Sequence, residues 1–306
     1  MVKSINHFIK EPEFLRGLIA LPVPEVYQIE VARVCNLKCI MCPIQRFNFF
    51  PRKDNTALIS VDLVKKIVNE GSLEASYFVE LQMSGEPLLH PQLSEIIDIV
   101  KSAGVFVGLS TNGVLMEKQI EALSKLNYIT FSLDSFEEYD KIRVGKKGFK
   151  LHERIKEFLP IAIKNNISVD IQIVEVTGWE RQVEIAEKYF KDDDVNVRTV
   201  ENCYYLHFFP DLKNPISELC LNPWRSVSIQ CTGIVTSCCF SMGDDIIYGD
   251  INKQSLKEIW AGEEVKKLRM EHRTGKYRAI CKKCYQRSPT QFHWKLFTDS
   301  IKKRMT

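Results

Sequence analysis

Apolar residues recur at helical spacing in five stretches of this chain and at strand-like spacing in six others, and the two kinds alternate. The first strand-like run is Val26-Tyr27-Gln28-Ile29-Glu30-Val31-Ala32. A helix is predicted over 60–70, with Ser60 as N-cap and Leu63, Val64, Ile67 and Val68 on one face. Residues 78–83 are strand-like, and 92–103 are helical through Leu93, Ile96, Ile97 and Val100, ending at Gly104. A strand at 105–109, a helix at 117–126, a strand at 128–133 and a helix at 151–164 follow. The run 167–176 alternates apolar and polar side chains as a strand does; a helix over 180–190 and a strand over 195–200 close the series. Six strands alternating with helices predict an α/β fold with a parallel, barrel-like sheet. Active sites of such folds lie at the C-terminal ends of the strands. Near the C-terminus the pattern changes: 224–230 and 234–237, joined by a turn with Gly233, predict a hairpin.

Composition narrows the function classes. A chain of 306 residues buries a large core, and one big domain plus a small one is expected. Its 45% hydrophobic and 26% charged content is ordinary for a globular protein. A net charge of +3 is too slight to argue for a nucleic-acid or anionic-membrane partner. No apolar run approaches a membrane span, and Met1-Val2-Lys3-Ser4 lacks the core of a signal peptide. The ten cysteines are therefore expected to ligate metal in a reducing cytoplasm rather than to form disulfides.

Three of them, Cys35, Cys39 and Cys42, follow the first strand in a C-x3-C-x2-C run. Thiolates are soft ligands suited to iron–sulfur clusters, and three leave one iron of a four-iron cluster without a protein ligand. That vacancy can take a substrate or cofactor. Spacing alone also allows a zinc site lacking its fourth ligand, or a chance grouping.

The cysteine run resembles the signature of the radical S-adenosylmethionine (radical SAM) superfamily. The resemblance implies a partial (β/α)6 TIM-like barrel whose [4Fe-4S] cluster is chelated by the amino and carboxylate groups of SAM. It also implies a flavodoxin- or ferredoxin-type electron donor and cleavage of SAM to methionine and a 5′-deoxyadenosyl radical, which takes a hydrogen atom from an unreactive C–H bond. Met41 stands where the family usually has an aromatic residue, and its polarizable side chain suits the adenine. Ser84-Gly85-Glu86 occupies the place of the family's Gly-Gly-Glu motif, which implies that backbone groups and Glu86 hold the SAM ammonium. Related enzymes imply further contacts: Ser132 for the ribose or carboxylate, Arg143 for the carboxylate and Ile173 for the adenine. A surface charge is the plain alternative for Arg143. Asn112, in Ser110-Thr111-Asn112-Gly113, either faces the same cavity or forms a plain turn.

Cys220, Cys238, Cys281 and Cys284 form a second set, with C-x12-G-x4-C spacing and a C-x2-C pair 43 residues later. Four thiolates make a closed site, and spacing alone favours zinc. Gly249-Asp250-Ile251, 256–260 and Arg269 resemble the segment joining the halves of the SPASM domain of radical SAM maturases. No cysteine follows Cys284, so the resemblance implies the shortened twitch form, a small α+β domain with one auxiliary [4Fe-4S] cluster. The expected organisation is an N-terminal extension (1–25), a core barrel (26–205), an auxiliary domain (206–290) and a tail (291–306). Cys203, Cys231 and Cys239 are left over, either as small buried hydrophobes or, for Cys231 or Cys239, as hydrogen-atom donors to a substrate radical.

Two activities fit. One resembles the twitch dehydrogenase of aminoglycoside biosynthesis, oxidising a sugar, aminocyclitol or similar small molecule; its general base would come from Glu175, Glu201, His207 or Asp134. The other is a peptide-modifying maturase making an epimer, thioether or carbon–carbon crosslink. Only 34 residues precede Cys35, fewer than a leader-peptide-binding domain needs, which favours the small-molecule reading.

Overall fold

The computed structural model describes residues 20, 22–42, 58–174, 181–200, 220, 222–238, 241 and 246–282. Glu175, Glu201, Cys203, His207, Cys239 and Cys284 lie outside the described residues. In chain order the first part comprises β1 (Glu25–Ile29), β2 (Lys38–Cys39), α1 (Val61–Asn69), β3 (Phe78–Glu80), α2 (Leu93–Lys101), β4 (Phe106–Thr111) and α3 (Ile120–Ser124). It continues with β5 (Tyr128–Ser132), α4 (Tyr139–Ile142), β6 (Arg143–Val144), α5 (Leu151–Lys164), β7 (Ser168–Val174), α6 (Gln182–Tyr189) and β8 (Asn196–Val200). All six expected strands form and pair in parallel in the order β1-β3-β4-β5-β7-β8.

Strand alternation gives this sheet two unlike faces. Val79, Leu81, Val107, Leu109, Ile129, Phe131, Val169 and Ile171 belong to the main apolar core together with Leu63, Val64, Ile67, Leu93, Ile96 and Ile97 of α1 and α2. Each such side chain contributes roughly 1.5–3 kcal/mol by leaving water. The opposite face carries Gln28, Glu80, Ser110, Tyr128, Thr130, Asp170, Gln172 and Arg198. The helices start and stop for local reasons: Ser60 accepts from the Leu63 N–H at 3.1 Å and caps α1. The helix expected over 117–126 is shorter, a 3-10 turn at Met116–Gln119 running into α3.

The C-terminal part comprises α7 (Asn222–Arg225), β9 (Ser226–Ile229), β10 (Ile234–Thr236), β11 (Ile247–Asp250), α8 (Leu256–Trp260), α9 (Glu263–Arg273) and α10 (Ala279–Lys282). The hairpin begins at Ser226 rather than at residue 224. Pro223 is tolerated in a first helical turn, and that turn buries Trp224 instead of letting it alternate. Gly233, at φ 89°, makes the bend between β9 and β10 that a Cβ would strain. The strand β11, which local pattern did not suggest, pairs with β10. β9 then adds in parallel to β1, with Glu25 opposite Ser226 and Ile29 opposite Ile229, so that β9, β10 and β11 extend the parallel sheet to nine strands. Among the described residues no helix is long and apolar enough to cross a membrane.

Candidate active site and auxiliary metal centre

The chain leaves β1 at its C-terminal end and turns directly into the cysteine loop. Two backbone contacts set that loop: β2 pairs antiparallel with β6, placing Cys39 opposite Arg143, and the Ile40 N–H bonds to the Ile142 carbonyl at 2.9 Å. The Leu37 N–H and the Asn112 side-chain amide face the Cys35 sulfur at 3.5 and 3.9 Å. Burial pushes the Cys35 thiol up to about 12, and the neighbouring Glu86, Cys39 and Cys42 add to the shift. A bound metal would supply the positive charge that lets the Cys35 thiol ionise.

The turn at Ser84 to Glu86 is pressed against this loop. The Glu86 N–H donates to the Val34 carbonyl at 2.8 Å. Its carboxylate is buried and accepts from Thr111 Oγ1 at 2.6 Å, Asn112 N–H at 2.9 Å and Leu88 N–H at 3.2 Å. Burial raises its pKa and these three donors oppose the rise. Asn112 extends the link, donating from its side chain to Asn36 at 2.8 Å, while Tyr139 donates to the Asn112 carbonyl at 2.6 Å. Gly85 is required by close approach: a Cβ there would lie 2.3 Å from the Ala32 carbonyl oxygen and 2.5 Å from that of Val34. Backbone cannot yield as a side chain can. Gly85→Ala is therefore expected to cost about 1–3 kcal/mol or more by overpacking, read as a lower unfolding midpoint together with weakened SAM binding in equilibrium dialysis.

Arg143 is half-buried and ion-paired to Asp134, and its Nη1 faces the Cys39 sulfur at 3.6 Å. Burial works against its charge, but the Asp134 carboxylate and Cys39 outweigh it, so its pKa stands above the ordinary guanidinium value. Asp134 sits just past β5 at φ 57° and also accepts the Val174 N–H at 2.8 Å. That engagement makes it a holder of Arg143. Glu30, at the end of β1, is fully buried beside Arg33, whose Nε and Nη2 lie 2.9 and 2.8 Å from its Oε2. The same carboxylate accepts from the Ser84 hydroxyl and from the Cys231 N–H, the latter at 3.2 Å.

In the C-terminal part, Cys220 precedes α7, Cys238 follows β10 and Cys281 lies in α10. All three thiols act electrostatically on the hydroxyl of Tyr248, on β11. Arg269 on α9 donates from Nε to the Pro223 carbonyl at 2.8 Å, which ties α9 to the turn after Cys220.

A radical SAM superfamily model matches residues 29–188, more than half of the chain, over the loop, turn and sheet just described. The chain belongs to the radical SAM superfamily. An iron–sulfur cluster-binding SPASM model matches residues 220–285. A probable GTP 3′,8-cyclase of Methanococcus maripaludis is 36% identical over 135 residues, which cover 40% of this chain and 44% of the relative. The chain thus spans less than half the length of that curated relative. Among solved structures, BtrN in complex with AdoMet and 2-DOIA superposes with a TM-score of 0.56 at 17% identity, covering 88% of this chain and 96% of BtrN. Streptococcus suis SuiB bound to precursor peptide SuiA superposes with a TM-score of 0.55 at 16% identity, covering 92% of this chain and 76% of SuiB. These likenesses show the fold that the radical SAM core adopts here.

Membership in the superfamily implies a [4Fe-4S] cluster with SAM, and the SPASM match implies auxiliary iron–sulfur chemistry. The residues present fit both. Among the described residues no three His, Cys, Asp or Glu side chains converge as they would on one metal ion. The fit rests instead on donor chemistry: three half-buried thiols at a strand end for the first site, and for the second the half-buried thiols of Cys220, Cys238 and Cys281.

The structure brings Cys35, Cys39, Cys42, Ser84, Gly85, Glu86, Asn112 and Arg143 into one connected region. Met41 is buried beside Cys42 but stands outside the main core, and Ser132 is buried at the end of β5, opposite Gln172. Ile173 is buried near the C-terminal end of β7 and, like Met41, lies outside the main core, next to Gln172 on the polar face. Cys231 is buried in the main core. Sequence reading missed Glu30, Arg33, Asn36 and Tyr139. A charged pair at i and i+3 just before the cysteines was the visible signal for the first two.

Proposed function

We propose that this chain uses SAM to remove a hydrogen atom from a small polar molecule bearing hydroxyl or amino groups, and that it completes an oxidation with one auxiliary cluster. The observation that carries this reading is the polar face of the sheet. Glu80 accepts from Tyr27, Gln28 and Ser110 at 3.2, 3.2 and 3.0 Å. Asp170 accepts from Tyr128 at 2.6 Å and pairs with Arg198 at 3.2 Å. Arg198 also donates to Thr130 at 3.3 Å. A barrel interior filled for stability alone would hold branched apolar side chains. A face with two carboxylates, a guanidinium and several hydroxyls suits a ligand whose own polar groups exchange for these bonds. Ser110, Gln172 and Arg198 retain partial exposure on that face, so solvent and solutes can reach it.

In this reading Cys35, Cys39 and Cys42 hold the SAM cluster, and Cys220, Cys238, Cys281 and Cys284 hold the auxiliary one. The Ser84 to Glu86 turn offers the SAM ammonium its backbone carbonyls, and three of the roughly four acceptor directions of Glu86 are already used to fix that turn. Arg143, held by Asp134, is the partner for the SAM carboxylate. When bound, cluster and SAM supply hydrogen-atom abstraction from an unreactive C–H bond. The chain's own part is to hold the substrate against the polar face and keep the Arg143 charge in place. Joining β9 to β1 puts the C-terminal strands on the same sheet as β1, which leads into the first triad.

Reconstituted protein is expected to carry two four-iron clusters per chain; iron and sulfide near one cluster, with the first triad intact, would rule out the auxiliary assignment. Turnover in heavy water with SAM, a chemical reductant and a panel of aminocyclitols and sugars separates the activities. Oxidation yields a product lighter by two hydrogens. A product of unchanged proton-form mass carrying solvent deuterium would instead mark epimerisation, with Cys231 or Cys239 as donor. Turnover confined to peptides would overturn the small-molecule reading.

A further inference from the structure

Two buried polar atoms beside the second cysteine set have no hydrogen-bond partner in the protein: the Tyr248 hydroxyl and Nη2 of Arg269. Tyr248 is only 5% exposed, so water does not serve it freely. A buried hydroxyl left unsatisfied costs about 1–3 kcal/mol, and native proteins rarely keep one without a purpose. Neither residue is loosely placed. The Tyr248 ring packs edge-on to Trp260 with centroids 6.4 Å apart, and the Arg269 guanidinium lies 4.3 Å over the same indole. Arg269 Nε is bonded to Pro223, three residues after Cys220. β11, which carries Tyr248, pairs with β10, whose end leads into Cys238. The hydroxyl therefore lies on the strand next to the one that leads into Cys238, and Arg269, packed on the same indole, is tied to the turn after Cys220.

We propose that the Tyr248 hydroxyl, with Arg269 beside it, donates a hydrogen bond to the auxiliary cluster or to one of its thiolate ligands and raises that cluster's reduction potential. The inference rests on the auxiliary-cluster reading above. Cluster sulfides and thiolates accept hydrogen bonds, and the reduced cluster carries one more negative charge than the oxidised one. A fixed donor in a water-poor site therefore favours the reduced form. Tyr248 is a positioning residue in this scheme: it sets how readily the cluster accepts an electron and touches neither SAM nor substrate.

The test uses the full chain with Cys35, Cys39 and Cys42 changed to alanine, reconstituted with iron and sulfide, so that only the auxiliary cluster gives a signal. Pulsed EPR of the reduced protein before and after exchange into heavy water is expected to show a strongly coupled exchangeable proton. Tyr248→Phe is expected to remove that proton and shift the midpoint potential in an EPR-monitored titration to a more negative value, at unchanged iron content. Arg269→Gln is expected to shift it in the same direction. A Tyr248→Phe protein with full iron and an unmoved potential overturns the proposal. If that variant loses iron, the parent decides: the exchangeable proton supports the proposal and its absence overturns it. A parent protein that holds no cluster overturns the auxiliary reading itself, and this inference with it.

Discussion

Replacing Cys35 with alanine is expected to abolish 5′-deoxyadenosine formation from SAM while leaving the auxiliary cluster in place. Cys35 is one of only three thiols at the first site, and its sulfur faces the Leu37 N–H and the Asn112 amide. Losing a residue that merely orients a metal ligand typically costs about 10–100-fold in affinity or activity. Losing one of three ligands costs more, because two thiolates cannot hold a four-iron cluster with one open position. The checks are chromatography of SAM incubated with reductant, and iron analysis. Iron should fall to the content of one four-iron cluster. Continued 5′-deoxyadenosine formation by Cys35→Ala would refute the role of the triad.

The second large effect is expected at Glu30, on stability. Glu30→Gln keeps the shape of the side chain but removes the charge that compensates Arg33, which is only 8% exposed. Breaking a buried ion pair by removing one partner costs about 3–5 kcal/mol, because the remaining charge loses the counter-ion that faced it. The carboxylate also anchors Ser84 and the Cys231 N–H, so the SAM-binding turn and the start of the hairpin should loosen together. Chemical denaturation of the apo protein measures the loss. The double variant Glu30→Gln/Arg33→Met should recover part of it, since neither charge then stays buried alone. Independent, additive losses at the two positions would show that the pair does not couple the two parts of the sheet.

Much of the fold was legible locally. The six core strands each announce themselves by apolar runs or alternation, and Ser60 caps α1 where a serine before an amphipathic run should. The cysteine spacing and the Ser84-Gly85-Glu86 turn were visible because each lies within a few residues of sequence. Other features were not. The two-residue strands β2 and β6 are too short to carry a period, yet their pairing sets Cys39 against Arg143. β11, four residues broken by Gly249, is too short to announce a strand until β10 is beside it.

By itself, then, the sequence determined the chemistry available to this protein: three thiols after a first strand, four more near the end, and an alternation that builds a parallel sheet. Those signals are short-range, so local pattern suffices to read them. Tertiary structure alone decided what these groups stand against. Glu30 meets the Cys231 N–H across 201 positions of chain, β9 pairs with β1, and Glu80, Asp170 and Arg198 share one face of the sheet. Such contacts depend on sheet order and strand phase, which no single segment encodes. Tyr248 and Arg269 show the same division. Their place in the sequence does not show it, and only the packing of both against Trp260 leaves their polar atoms unpartnered.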